Sequence, residues 1–153
     1  MEQAEKRLAV YLRVSSEVQA ERGQGLAIQE AAVRAWARKR GHKIVGVFKD
    51  AGVSGANALD QREALPLALA TVQQKRADGI VVQRIDRLSR DLITQEQLLR
   101  EIRRCGGQLY STSDAEAEFL VDDGGVDPSR ALIRQVLVCC QVDSLRFWLM
   151  AVQ

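Results

Sequence analysis

Four short apolar segments recur along the chain: "RLAVYLRV" (7–14), "KIVGVF" (43–48), "GIVVQR" (79–84) and "QLYST" (108–112). Each mixes alternation with a continuous apolar run, the pattern of a strand covered on both faces. The stretches between them carry helical periodicity. In "LAIQEAAVRAWARKRG" (26–41), Ile28, Ala32, Ala35 and Trp36 fall on one helical face, with bases in the last turn and Gly41 as a stop. Leu65, Ala68, Leu69 and Val72 repeat at the same spacing, and Pro66 fits only the first turn, so that helix begins near residue 65. Asp91 is a candidate cap for a helix carrying Leu92, Leu98, Leu99 and Ile102, which ends at "CGG" (105–107). This alternation predicts an α/β fold: a mainly parallel sheet of four to five strands flanked by helices.

In such a sheet, ligands gather beyond the carboxyl ends of the strands. Glycine, serine and asparagine mark 15–25 and 50–63 as loops. Arg13 to Ser16, Asp50 to Gly55 and Arg84 to Arg90 are therefore expected on one rim.

With 153 residues the chain is sized for one domain, and its total charge of +2 is too small to identify a polyanion partner. The distribution is more informative. Residues 111–127 hold six acids and no base, which leaves +8 on the remainder and reads as a basic body with an acidic loop. Cys105, Cys139 and Cys140 lack metal-binding spacing, so buried free thiols in a reducing cytosol are expected. The first residues include acids and form no signal core, and Gln141, Asp143 and Arg146 interrupt the last apolar stretch. A cytoplasmic protein with no membrane association is the expectation. "DPSRALIRQVLVCCQVDSLRFWLMAVQ" (127–153) opens with Pro128 in a helix-starting context and reads as one long helix, ~39 Å if unbroken. It carries too much apolar surface to stand alone in water, so it packs on the body or on a second chain.

"YLRVSSEVQ" (11–19) delivers Arg13 and the pair Ser15 and Ser16 to the end of the first strand. A serine hydroxyl needs a base or surrounding positive charge to act as a nucleophile. The sole histidine, His42, precedes the second strand on the opposite rim, which argues against a Ser-His-Asp triad and makes it a surface residue. "RIDRLSRD" (84–91) supplies Arg84, Arg87 and Arg90 beside Asp86 and Asp91. Guanidinium forks match phosphate oxygens and stabilise a five-coordinate phosphorus without metal. Salt bridging at a strand end is the structural alternative for the arginine segment taken alone. The residues themselves do not choose between Ser15 and Ser16.

"YLRVSSEVQ", "DAGVSG" and "RIDRLSRD", in this order, resemble the catalytic domain of the serine site-specific recombinases, the resolvase/invertase family, and most closely its large integrases and transposases. "DPSRALIRQVL" matches the foot of that family's long helix, so the resemblance spans roughly 7–138. It implies a resolvase-like catalytic domain over 1–126 and an oligomerisation helix over 127–153. It implies that Ser15 is the nucleophile, cutting and rejoining DNA through a 5′-phosphoserine link with no cofactor, neither metal nor ATP. Arg13, Arg87 and Arg90 match the family's phosphate-binding arginines and Asp86 its active-site carboxylate. Arg62, Gln19 and Ser54 match further positions around the DNA phosphate, with Arg84 beside them. The partners implied are DNA and further copies of the chain, as a dimer and then a tetramer, through 128–153.

The tail departs from the pattern. "VCCQVDSLRFWLMAVQ" (138–153) lacks the alanine-rich turn and the aromatic–Glu–Arg motif with which the family usually continues. An excised catalytic domain and a naturally shortened protein both fit that departure, and a silent fragment acting only through oligomerisation is the alternative function. A small phosphate-binding protein is disfavoured because no GxGxxG or Walker-type run occurs, and a metal-dependent nuclease because the candidate acids lie among arginines.

Overall fold

The computed structural model describes residues 4–14, 24–51, 62–89 and 92–120. Four strands, β1 (Arg7–Val14), β2 (Lys43–Ala51), β3 (Gly79–Val82) and β4 (Gln108–Ser111), form one sheet in the order β2-β1-β3-β4. Every pairing is parallel. Helices α1 (Gln24–Arg40), α2 (Ala64–Gln73), α3 (Ile85–Leu88), α4 (Leu92–Arg104) and α5 (Asp114–Leu120) fill the connections.

The sheet is buried on both faces, which is why its strands read as near-continuous apolar runs. Along β1 the side chains alternate between two cores. Leu8, Val10 and Leu12 pack with Val81 and with Val33, Leu26 and Trp36 of α1. Ala9 and Tyr11 pack with α2 through Leu65, Ala68 and Val72, with α4 through Leu98, Leu99 and Ile102, and with Ile85, Leu88 and Leu120. Burying a leucine or valine side chain contributes about 1.5–3 kcal/mol, so these two layers dominate the stability of the body.

α1 and α4 stop in the same way. Gly41 (φ 71°) and Gly106 (φ 87°) take the left-handed conformation that closes a helix, and the following amides, His42 and Gly107, bond back to Ala37 and Ile102 at 2.8 and 3.0 Å. At Gly79 the backbones of β3 and β4 approach so closely that a Cβ would strike the Gln108 carbonyl.

Several expectations are corrected. The face that α1 buries holds Gln29, Val33 and Ala37 with Trp36 half-buried, whereas Ile28 is 62% exposed and Ala35 is exposed too. The helix turns Val33 against Leu8, Val10 and Leu12, and Gln29 on the same face reaches inward to the β1 backbone. β2 runs on to Ala51, since Arg13 and Asp50 are still partners in the ladder, and β3 stops at Val82. The start of the acidic loop is helix α5, and its Glu116 is wholly buried.

His42 lies on the amino-terminal rim, as expected, but it is not a free surface residue. Its ring sits 5.4 Å from Trp36 and 6.1 Å from Tyr110, and its Nδ1 accepts from the Lys6 amide at 3.4 Å. These rings line a cleft of about 280 Å³ together with Lys6 and Arg40, on the opposite side from the predicted arginine rim. Cys105 is a half-buried free thiol. Cys139, Cys140, Asp91 and the expected long helix over 127–153 lie outside the described residues. Among the described residues no helix is long and apolar enough to cross a membrane.

Candidate active site at the carboxyl rim

β1 carries Arg13 to the carboxyl edge of the sheet on the face shared with Ala9 and Tyr11. The guanidinium is 2% exposed, and its Nε and Nη2 donate to the carbonyls of Arg87 (2.9 Å) and Asp86 (3.1 Å). Arg62, 1% exposed, donates through Nη1 to the Leu88 carbonyl. The reason lies in α3, a single turn ended by the extended Ser89. Carbonyls of a helix's last turn have no following amides to bond, and here two arginines supply the donors.

The same segment is held at almost every other residue. The Gln83 carbonyl accepts from the Thr112 hydroxyl (2.8 Å), and the Ile85 amide donates to Glu116 Oε2 (2.9 Å). The Ser89 carbonyl accepts from Gln95 Nε2 at 2.5 Å. The "RIDRLS" stretch is therefore a rigid turn fixed by side chains from four other elements or connections. Its own polar side chains face outward in part: Arg84, Asp86 and Arg87 are half-buried. Among the described residues, Asp86 Oδ1 and Arg87 Nε are buried atoms with no hydrogen-bond partner. Asp86 also serves the turn through its main-chain carbonyl, which accepts from Arg13.

Two buried guanidiniums require nearby negative charge or dipoles. The α3 carbonyls supply dipoles, and Asp50, 4% exposed, is the ladder partner of Arg13 in the β1–β2 pairing. Oδ2 accepts from the Tyr11 hydroxyl at 2.9 Å, and Oδ1 accepts from the amides of Glu63 (3.1 Å) and Ala64 (2.9 Å). The carboxylate thus caps α2, whose N-cap residue Glu63 makes no side-chain cap, and ties down the chain next to Arg62. Tyr11 is held well above the usual tyrosine range, chiefly by burial and then by Asp50, against the opposing pull of Arg62 and Arg13. It is a protonated donor here. From the other face of the sheet Gln29, 2% exposed, donates to the Arg13 carbonyl at 3.1 Å.

Of the site residues expected from sequence, Arg13, Arg62, Arg84, Asp86 and Arg87 are brought together on this rim, while Ser15, Gln19, Ser54 and Arg90 lie outside the described residues. The residues that sequence reasoning did not assign to the site are the ones that hold it: Tyr11, Gln29, Asp50, Gln95 and Glu116. Tyr11 carries a signal, since it stands two positions before Arg13 on the same strand face. Gln29, Asp50 and Glu116 have partners more than a dozen residues away along the chain, while Gln95 reaches back only six residues, to Ser89.

A family model described as "Resolvase, N terminal domain" matches residues 8–139. The N-terminal catalytic domain of TP901-1 integrase superposes with a TM-score of 0.65 at 25% identity, over 89% of this chain and 94% of that one. The C-terminal catalytic domain of ISC1926 TnpA, an IS607-like serine recombinase, gives 0.59 at 25% identity, over 85% and 78%. A resolvase family site-specific recombinase from Streptococcus pneumoniae shares the fold, with a TM-score of 0.61 at 20% identity over 96% and 95% of the two chains. No curated protein sequence matches.

Proposed function

The chain belongs to the family of resolvase N-terminal domains, the catalytic domains of serine recombinases, and from that we propose that Ser15 attacks a DNA phosphate on the carboxyl rim. The Ser15 oxygen forms a bond to phosphorus and the bond to the 3′ oxygen breaks, leaving a 5′-phosphoserine and a free 3′-hydroxyl. Attack by another 3′-hydroxyl reverses the step, so one phosphodiester replaces another and no external energy source enters.

The observation that carries this reading is the gathering of Arg13, Arg62, Arg84 and Arg87 around one turn directly beyond the strand that leads to Ser15. Their charge favours the extra negative charge that builds on phosphorus in the transition state. The arginines divide the work. Arg13 and Arg62 are buried and bonded to carbonyls, so they shape the turn and set the field. Arg87 is half-buried with an unpartnered Nε, which suits it to contact phosphate directly, with Arg90, Arg84, Gln19 and Ser54 completing the surround. Asp86 is assigned to orienting an arginine or handling the proton. Ser15 rather than Ser16 is taken as the nucleophile because it is the first serine after the Arg13–Val14 pair, the position that the family pattern gives to the attacking hydroxyl.

DNA is the substrate proposed, and self-association through 128–153 the means of bringing two duplexes together. A suicide duplex nicked near the cut site traps the adduct. Wild type and Ser16→Ala are expected to give a covalent protein–DNA species that survives EDTA, and Ser15→Ala none. An adduct that persists in Ser15→Ala refutes the assignment.

A further inference from the structure

Glu116 lies on α5, outside the motifs that mark the rim, yet it is completely buried. Its Oε2 accepts from the Ile85 amide at 2.9 Å and from the Ser111 hydroxyl at 2.5 Å. Ser111 in turn accepts from the Ser113 amide at 3.2 Å, which links the end of β4 to the start of α5. Oε1 is buried with no hydrogen-bond partner among the described residues. A buried carboxylate is costly unless its bonds compensate. Glu116 thus joins the β4–α5 junction to the first amide of α3, where the N-cap residue Arg84 provides no side-chain cap.

The carbonyls of Asp86, Arg87 and Leu88, which receive Arg13 and Arg62, follow within the same single turn. One turn has no length over which to absorb a displacement, so a shift at the Ile85 amide carries the three carbonyls with it. We propose that Glu116 is a positioning residue for strand cleavage: it fixes the α3 turn from behind and thereby seats the Arg13 and Arg62 guanidiniums and aims Arg87. This rests on the reading of the rim as a serine-recombinase site. Glu116 itself touches neither DNA nor Ser15 in this scheme.

The test compares Glu116→Ala, Glu116→Gln and Ser15→Ala in the full chain by two readouts. The first is hydrogen exchange by NMR at the Ile85 amide and at Arg13 Nε–H. Glu116→Ala should accelerate both by about tenfold or more, the factor that a hydrogen bond to a charged group is worth. Glu116→Gln keeps a carbonyl acceptor for Ile85 and should restore most of the protection. Faster exchange at Ile85 with Arg13 unchanged means that Glu116 is only a cap and overturns the proposal, as does no change at either. The second readout is the rate of adduct formation at saturating suicide DNA, which should fall about tenfold in Glu116→Ala with DNA affinity unchanged and recover in Glu116→Gln. An unchanged rate, or a loss confined to affinity, also overturns it. If Glu116→Ala does not fold, Ser111→Ala removes the second bond and should shift both readouts in the same direction. Adduct formation that survives Ser15→Ala, alongside coupled exchange at Ile85 and Arg13, would mean that the rim reading fails while the coupling stands.

Discussion

Burying Arg13 and Arg62 is the central physical problem of this rim, met in part by the α3 carbonyls they bond, and Asp50 anchors the chain beside them. Its carboxylate is fully committed, to Tyr11 on one side and to the α2 amides on the other. Asp50→Ala removes the cap and leaves the Tyr11 hydroxyl without its acceptor, and should lower unfolding free energy by about 3 kcal/mol. Tyr11→Phe removes one donor from an acceptor that keeps two others, and should cost about 1 kcal/mol. Urea unfolding of both variants measures the contrast. A second residue-scale effect sits on the opposite rim. Burial, then Arg40 and Lys6, hold His42 below its ordinary value of 6.5, with Glu5 pulling weakly the other way. The unfolded chain therefore takes up the proton first. Stability contributed by neutral His42 is complete above pH 6.5 and is lost as pH falls through the folded-state value. The carboxylates lowered by their arginine or lysine partners, Asp78, Glu30 and Glu101, act in a separate window, below their ordinary values of 3.8 and 4.5. His42→Phe should flatten the stability profile just below pH 6.5 and leave the acid limb unchanged, as thermal melts across pH will show.

At the scale of elements, the four strands were legible because a doubly covered strand demands a run of apolar residues that little else imitates. Helix orientation was not. Ile28 and Val33 are equally apolar, and the face that is buried also carries the polar Gln29, whose bond to the Arg13 carbonyl spans 16 residues and leaves no periodic signal. Ile28→Lys should therefore change stability by less than about 0.5 kcal/mol, while Val33→Ala should cost about 2 kcal/mol through lost burial and a cavity. Chemical denaturation of the pair decides which face is buried. The site divides in the same way. Arg13, Arg62, Asp86 and Arg87 stand in motifs and could be read directly. Their supports could not, because Glu116 sits in an acidic run that looks solvated, and its partner Ile85 is 31 residues away. A single helical turn such as α3 is also too short to leave a periodic signal.

For the whole molecule, the arrangement limits how DNA can be held. Each described helix packs on a strand, so none of them stands clear of the sheet to enter a groove. In the proposed reading the rim arginines contact the phosphate backbone, which carries no sequence information directly. About three neutralised phosphates give a log–log salt slope of about −3, equivalent to about a 50-fold loss of affinity between 50 and 200 mM salt. Duplexes of unrelated sequence should bind within about threefold of one another, since a single bidentate base contact would separate them by more. Arg87→Ala should reduce the slope by about 1 without unfolding the protein, because this side chain is only half-buried and its buried Nε has no hydrogen-bond partner among the described residues. Arg13→Ala should instead destabilise the turn that its guanidinium holds, showing first as a lower melting temperature. Fluorescence anisotropy across salt, paired with melts, separates the two arginines: an Arg87→Ala slope equal to wild type would remove Arg87 from the phosphate surface and leave the field of the buried pair to act alone.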